Sequence, residues 1–259
     1  MPSRSVPPAP GLGPLEMTVL AEDGVVLKGV LEYPDGEPGA RYPLAVLAHQ
    51  YPSTADSFAP LIEDLLDLGV ATLAFDLRGH GSSTAAPSGA LVIDAPVGFG
   101  PEAFGKAFMS SIAKVGFGRI GDDVLRVASW GAVQNFIDGG RLLLVGASVG
   151  GSAALVAAPQ VPGLRGVVTF GAAGAPAFEG GSARIKAKVA DLAAPVLLAT
   201  SEGDAFEGAA NARGWSEGAR GARALVVPGA EHAMAIYYDV RDEVIAFLRD
   251  ALGAPAPGR

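Results

Sequence analysis

The sequence predicts an α/β protein in which a mostly parallel central sheet of about eight strands carries helices on both faces. Two patterns support this prediction: short apolar runs rich in β-branched residues recur along the chain, and stretches with helical spacing lie between them. The 36 glycines and 20 prolines supply tight turns between short elements. A length of 259 residues suits a single domain of this class, and the interval between the predicted strands that end near residue 170 and begin near residue 196 has room for one helix but not for a large cap domain.

The apolar runs are short, as is typical of buried strands in a parallel sheet. The predicted strands are residues 25–33, 44–49, 70–75, 142–145, 166–170, 196–199 and 224–227. Apolar residues recur with helical spacing at 58–66 and 240–248, and the segment 122–137 and the small residues after Ser148 provide two more helices. Ligands of such sheets bind at the carboxyl ends of the strands.

Three regions depart from this alternation. Residues 1–14 and 253–259 show no apolar periodicity, so we predict flexible ends around a domain at 15–252. Residues 84–121 form a connection that is longer than usual. They are predicted either to pack as an excursion over the sheet or to form a small lid.

Composition excludes several classes of function. A formal charge of -8 without a run of Lys or Arg argues against nucleic acid or an anionic membrane surface as a partner. The absence of cysteine excludes disulfides, a thiol nucleophile and thiolate metal sites. The uncharged stretch 142–164 is long enough to span a membrane, but its glycines and prolines predict strand, turn, helix and loop instead. The first residues lack the apolar core of a signal peptide, so a cytoplasmic protein is expected from the sequence as written.

The strongest local pattern is a buried strand that runs into Gly146-Ala147-Ser148-Val149-Gly150. A serine on a sharp turn between strand and helix is exposed to substrate, and the close backbone around it requires small neighbours. The turn also points the first free N–H groups of the following helix at the carbonyl group that the serine would attack. We therefore predict Ser148 as a nucleophile and the Val149 amide as one oxyanion donor.

A serine nucleophile needs a base and an orienting acid. Among the three histidines, His232 follows the last predicted strand, where it reaches the carboxyl edge of the sheet. Asp204 follows the preceding strand and reaches the same edge, with Glu202 and Glu207 as rival acids. The predicted catalytic residues are Ser148, Asp204 and His232.

These features resemble the α/β-hydrolase superfamily over about residues 44–252. The resemblance rests on the serine turn, on the chain order of serine, acid and histidine, and on the run Asp76-Leu77-Arg78-Gly79-His80-Gly81-Ser82-Ser83, which looks like the family's D-x-R-G-H-G-x-S turn. In the family this turn is chiefly structural. The resemblance therefore implies that Arg78 and His80 belong to the scaffold.

The run His49-Gln50-Tyr51-Pro52 matches the position of the family's H-G-x-P oxyanion loop, with Gln50 where glycine is usual. The resemblance implies that the second oxyanion N–H belongs to Tyr51, with Gln50 as the alternative. His49 is then a loop-positioning residue. The aromatic residues of the long connection are expected to line the substrate pocket: Phe99, Phe104 and Phe108.

Together these predictions indicate a carboxylesterase that cleaves short to medium acyl esters through an acyl-enzyme, without metal or cofactor. The expected partner is a small-molecule ester, and the oligomeric state stays open. A serine at position 148 argues against the family's dehalogenases and epoxide hydrolases, and the lack of cysteine argues against its thiol-using dienelactone hydrolases. The alternatives are a thioesterase or acyltransferase, a lipase, and a non-catalytic ligand-binding protein on this fold.

Overall fold

A ten-stranded sheet lies at the centre of the computed structural model, which describes residues 13–36, 39–98 and 100–253. The strands are β1 Leu15–Leu20, β2 Val26–Glu32, β3 Tyr42–Ala48, β4 Ala71–Phe75, β5 Ala85–Ala86, β6 Gly89–Ala90, β7 Ile137–Ala147, β8 Leu164–Phe170, β9 Val196–Ser201 and β10 Ala222–Val227. Their order is β10-β9-β8-β7-β3-β4-β2-β5-β6, and β1 lies outside this order and pairs with β2. The six strands from β10 to β4 are parallel, and the pairs of β2 with β1, β4 and β5 and of β5 with β6 are antiparallel.

Seven α-helices accompany the sheet among the described residues. They are α1 Ala59–Asp67, α2 Pro101–Val115, α3 Ile120–Ala132, α4 Val149–Ala157, α5 Gly181–Asp191, α6 Gly208–Ser216 and α7 Tyr237–Ala251. Short 3-10 turns lie at Ala55–Phe58, Phe117–Arg119, Ala158–Gln160, Ala175–Ala177 and Ala233–Ile236. The predicted mostly parallel α/β architecture is confirmed.

Alternation along the central strands builds two apolar cores, one on each face of the sheet. In β7, Leu142 and Leu144 face the core under α3 to α6, whereas Leu143 and Val145 face the core under α1 and α7. Because successive side chains of a strand point to opposite faces, a strand covered by helices on both sides must be apolar at every position. This explains why the central strands read as continuous apolar runs.

Some elements differ from the sequence prediction. β1 was not predicted, because only Met17 of its six residues is fully buried. Its burial alternates along the strand, as is typical of an edge strand. The helix predicted over 122–137 ends at Ala132, because a turn follows in which the amide of Ile137 donates to Gln134 and the chain enters β7. The long connection at 84–121 contains the short strands β5 and β6 and helix α2.

The topology sets where functional side chains can meet. Ser148, Asp204 and His232 each lie just beyond the carboxyl end of a parallel strand, β7, β9 and β10 respectively. The uncharged stretch at 142–164 contains the end of β7, α4 and a short 3-10 turn, as the glycines and prolines predict. In the part of the chain that the structure describes, no helix has the length and apolarity to cross a membrane.

Candidate active site

Ser148 occupies a strained turn between β7 and α4. Its backbone has φ 50° and ψ -119°, a conformation that non-glycine residues rarely adopt. The amide of Ser148 donates to Phe170 and its carbonyl accepts from Ala173, so strand β8 and the chain that follows it hold the turn in place. Val149 is the first residue of α4, and its amide therefore has no acceptor within the helix.

The two glycines of the turn allow backbone segments to approach closely. A Cβ atom at Gly146 would lie 2.3 Å from the carbonyl oxygen of Gly150, and one at Gly150 would lie 2.1 Å from the carbonyl oxygen of Ala48. Both distances are far inside van der Waals contact, and both involve backbone atoms that cannot rotate away. The small residues at these positions are therefore a packing requirement of the turn.

We expect Gly150→Ala to lower the free energy of unfolding by about 1–3 kcal/mol, because the added methyl group overpacks the turn. The end of β3 would have to move, since the new atom would also lie 2.5 Å from the His49 carbonyl oxygen. Urea unfolding of both proteins measures the loss. Gly151→Ala is the matched control: its nearest contact is 3.1 Å, so its loss should be smaller, and equal losses would contradict this explanation.

The structure brings Ser148, His232 and Asp204 into one hydrogen-bonded chain. His232 Nε2 lies 2.9 Å from Ser148 Oγ, and His232 Nδ1 lies 2.8 Å from Asp204 Oδ2. A carboxylate can only accept, so Nδ1 carries the imidazole proton and Nε2 is left to accept from the serine hydroxyl. The Asp204 side chain is fully buried, whereas the His232 side chain is 19% exposed.

The surroundings of Asp204 fix the direction of its carboxylate. Oδ1 accepts the amide of Phe206 at 2.8 Å, and Oδ2 accepts the hydroxyl of Thr200 at 3.2 Å in addition to the imidazole. Gly208 makes room for this group, since a Cβ atom there would lie 2.2 Å from Oδ2. The carboxylate is thus held by three donors, and one of them is His232.

The two rival acids lie elsewhere. Glu202 is exposed and forms an ion pair with Arg213. Glu207 lies at the start of α6 with φ 67° and is exposed at the wall of the cavity described below. Of these three acids, Asp204 is the one that reaches His232.

His49 is fully buried and holds the loop that follows β3. Its Nε2 accepts the amide of Leu77 at 2.9 Å, so Nδ1 carries the proton and donates to the Gln50 carbonyl oxygen at 2.8 Å. The Tyr51 hydroxyl donates to the carbonyl oxygen of Asp94 at 2.5 Å. These contacts tie the loop to the chain after β4 and to the long connection, and both Gln50 and Tyr51 line the same cavity as Ser148.

Burial lowers the pKa of His49 to about 3, with a further contribution from the neighbouring His80, whose own pKa is also lowered by burial. The unfolded chain therefore takes up these protons near pH 6.5 while the folded protein does not, and stability falls as pH decreases from 6.5 toward 3. Between these two pKa values His49 contributes a slope of about 1.4 kcal/mol per pH unit, and His80 contributes in the same direction.

We expect the unfolding free energy of His49→Gln to depend less on pH than that of the wild type. The interval from pH 6.5 to 5 is informative, because most carboxylates titrate below it. Urea unfolding at half-unit steps gives the two slopes. A variant slope equal to that of the wild type would show that His49 is not held neutral by the fold.

Arg78 and His80 belong to the scaffold, as the resemblance implies. Arg78 is buried between Asp123, to which Nε donates at 2.6 Å, and Asp23, to which Nη1 donates at 2.8 Å. The His80 ring is stacked on Phe117, with a centroid distance of 5.8 Å. Neither side chain lines the cavity at Ser148.

A cavity of about 670 Å³ opens onto Ser148 and His232. Its lining is mainly apolar: Tyr51, Pro52, Pro101, Phe104, Phe108, Met109, Ala173, Pro176, Ala205, Phe206 and Ala233. Its polar side chains other than Ser148 and His232 are Gln50, Ser53 and Glu207. Phe104 and Phe108 thus lie where the sequence predicted pocket residues, whereas Phe99 lies outside the described residues.

Phe206 was not predicted from the sequence; its ring lies 4.6 Å from that of His232 and 6.5 Å from that of Phe104, measured between centroids. Its position two residues after Asp204 was the available signal. Gly171 was also missed: a Cβ atom there would lie 2.9 Å from Asp204 Oδ2 and 3.0 Å from His232 Nδ1. Among the described residues, no cluster of three His, Asp or Glu side chains is arranged to hold a metal ion.

Comparison with known proteins gives the same architecture. A family model described as alpha/beta hydrolase fold matches residues 43–188, more than half of the chain. A search of curated proteins found no significant sequence match. Similar solved structures include a dienelactone hydrolase from Anabaena variabilis ATCC 29413 (22% identity, TM-score 0.62) and ferulic acid-bound Est1E from Butyrivibrio proteoclasticus (17% identity, TM-score 0.68), each covering 92% of this chain and 99% of its own. The esterase domain of a Rhodothermus marinus protein has 19% identity, a TM-score of 0.63 and the same coverage.

Proposed function

Since the chain belongs to the alpha/beta hydrolase family, we propose that it is a serine hydrolase that cleaves carboxylic esters through an acyl-enzyme on Ser148. The observation that carries the proposal is the chain of hydrogen bonds from Asp204 through His232 to Ser148, at the base of an apolar cavity. A nucleophile, a base and an orienting acid within hydrogen-bond reach are what acyl transfer requires.

The first step is attack of Ser148 Oγ on the ester carbonyl carbon, while the hydroxyl proton passes to His232 Nε2. Asp204 stabilises the imidazolium that forms, and its three donors keep it from rotating out of line. The tetrahedral oxyanion then accepts hydrogen bonds from the Val149 amide and from a second amide in the loop after β3, that of Tyr51 or Gln50. His232 returns the proton to the alcohol oxygen as the carbon–oxygen bond breaks.

The second step mirrors the first. A water molecule gives a proton to His232 Nε2 and its oxygen attacks the acyl carbon, and Ser148 Oγ leaves with the proton that His232 returns. The products are an alcohol and a carboxylic acid, and the enzyme is regenerated. These two steps use only the side chains and amides named above, together with one water molecule per turnover.

The lining of the cavity supports an uncharged substrate of moderate size. A volume of about 670 Å³ lies within the usual range for small-molecule sites. Its described wall contains no Lys or Arg that could pair with an anionic substrate group, and its one carboxylate is Glu207. We therefore propose short to medium acyl esters as the preferred substrates.

The test is hydrolysis of p-nitrophenyl esters from acetate to palmitate, together with thioesters of the same acyl groups and with added alcohols as alternative acceptors. An esterase releases p-nitrophenol with a maximum at short or medium chain length. A preference for thioesters, or transfer of the acyl group to an alcohol rather than water, would instead support a thioesterase or an acyltransferase. A maximum at palmitate would support a lipase, and no turnover of any donor would overturn the proposal.

A further inference from the structure

One side of helix α2 forms a wall of the cavity. The residues of α2 that line it are Pro101, Phe104, Gly105, Phe108 and Met109, which follow the helical spacing of a single stripe. An adjoining side of the helix buries Ala107, Ser111 and Val115. The middle residue of the cavity stripe is Gly105. Apolar residues precede it on the stripe, Pro101 and Phe104, and follow it, Phe108 and Met109.

No packing contact explains this glycine. A Cβ atom at Gly105 would have no atom within 4 Å outside the local helix backbone. At Gly121 and Gly131, two other glycines inside helices, the fold needs the room: a Cβ atom would lie 2.8 Å from Val156 at Gly121 and 2.5 Å from Leu44 at Gly131. A glycine inside a helix lowers stability relative to alanine, so Gly105 lowers the free energy of unfolding of the protein relative to an alanine at this position.

The open space beside Gly105 lies close to the reacting groups. The Phe104 ring lies against Phe206, which in turn contacts the ring of His232. The Phe108 ring lies 5.5 Å from that of Tyr51, on the side of the oxyanion loop. Gly105 is on the same stripe, and its neighbours on the helix surface are Pro101, Phe108 and Met109, three or four residues away. The missing side chain therefore leaves a notch in the wall that faces the catalytic residues.

We propose that Gly105 is a size-selecting residue, and that the notch accommodates a bulky apolar group, branched or cyclic, of an uncharged ester. This inference rests on the proposed esterase function and specifies its substrate class. Pro101, Phe108 and Met109 surround the notch on the helix surface, so a ring or a branched chain that enters it makes apolar contacts with them. A small ester such as an acetate leaves the notch empty and gains nothing from it.

The experiment compares Gly105→Ala and Gly105→Leu with the wild type on two ester series. One series varies the acyl group of p-nitrophenyl esters from acetate to butyrate and benzoate, and the other varies the alcohol of acetate esters from methyl to benzyl. We expect kcat/KM for the bulkiest ester of at least one series to fall about tenfold in Gly105→Ala and further in Gly105→Leu, with the smallest ester of each series little affected.

Gly214 provides the matched control. It is also a half-buried glycine inside a helix, a Cβ atom there would likewise meet no atom within 4 Å, and it does not line the cavity. Gly105→Ala and Gly214→Ala should each raise the melting temperature by about 2–4 °C, because alanine favours the helix. Only the Gly105 variants should change the ratio of bulky to small ester hydrolysis.

Two outcomes would overturn the inference. One is an unchanged ratio of bulky to small ester hydrolysis in Gly105→Leu, and the other is a change of this ratio in Gly214→Ala equal to that in Gly105→Ala. Failure of the proposed function looks different, because the wild type itself would then hydrolyse no ester, or would do so independently of Ser148. An active, Ser148-dependent wild type with an unaltered Gly105→Leu profile contradicts the size-selecting role alone.

Discussion

Replacing Ser148 with alanine should lower kcat for p-nitrophenyl butyrate by on the order of 10⁵-fold or more, which is the scale of removing the nucleophile from a triad. The loss follows from the geometry: the hydroxyl that lies 2.9 Å from His232 Nε2 is the only covalent acceptor in the proposed mechanism. The cavity and the oxyanion amides remain, so substrate binding should change little. Any residual rate reflects those groups alone.

In Ser148→Ala, loss of the catalytic step can be distinguished from loss of the folded structure. Ser148 adopts its strained backbone whatever its side chain, and its amide and carbonyl contacts are made by the backbone. We therefore expect the melting temperature of Ser148→Ala to stay close to that of the wild type. The measurement is steady-state kinetics together with thermal unfolding. Retention of more than about one per cent of wild-type activity in a purified, folded variant would contradict the assigned nucleophile.

Asp204→Asn should lower kcat by about 10⁴-fold, the effect expected from holding the imidazole in the wrong tautomer. The Phe206 amide donates to Oδ1, and this contact selects the oxygen of an asparagine amide for that position. The NH₂ group then points at His232 Nδ1, which must become an acceptor. His232 Nε2 would consequently carry the proton and could no longer take one from Ser148.

A matched control for Asp204→Asn is available in the same loop. Glu202→Gln makes the same change from carboxylate to amide at an exposed residue that pairs with Arg213 and does not reach His232. Its kcat should remain within about twofold of the wild type, as expected for a surface ion pair. Equal effects of the two substitutions, or less than a tenfold loss for Asp204→Asn, would argue against Asp204 as the orienting acid.

Much of the fold could be predicted because its signals are local. The apolar runs of β3, β4 and β7 to β9 are buried, since helices cover both faces of these strands. The turn at Ser148 could be predicted for a similar reason: the close approach that requires Gly146 and Gly150 occurs within a few residues of chain and leaves a recognisable spacing. Strand β1 is half exposed at an edge of the sheet, and its alternation is a weaker signal.

The walls of the cavity could be predicted only in part, because they come from segments that are distant in sequence. Helix α2 contacts the site from the long connection, and its contribution depends on how that connection folds back. Phe206 is signalled only by its position two residues after Asp204, and no local pattern reveals that a side chain at Gly171 would meet Asp204 and His232. Gly105 is informative only once its empty surroundings are known. Chain order predicted which three side chains meet, but not the shape of the space above them.

The central claim, an acyl-enzyme on Ser148, is tested most directly by trapping it. The protein is mixed with p-nitrophenyl benzoate, quenched in acid during turnover, digested and analysed by mass spectrometry. We predict an added benzoyl group on the peptide that contains Ser148, absent from Ser148→Ala and gone once the substrate is exhausted. Rapid release of p-nitrophenol with no acyl group on that peptide at any time, or with the acyl group on another residue, would contradict the account.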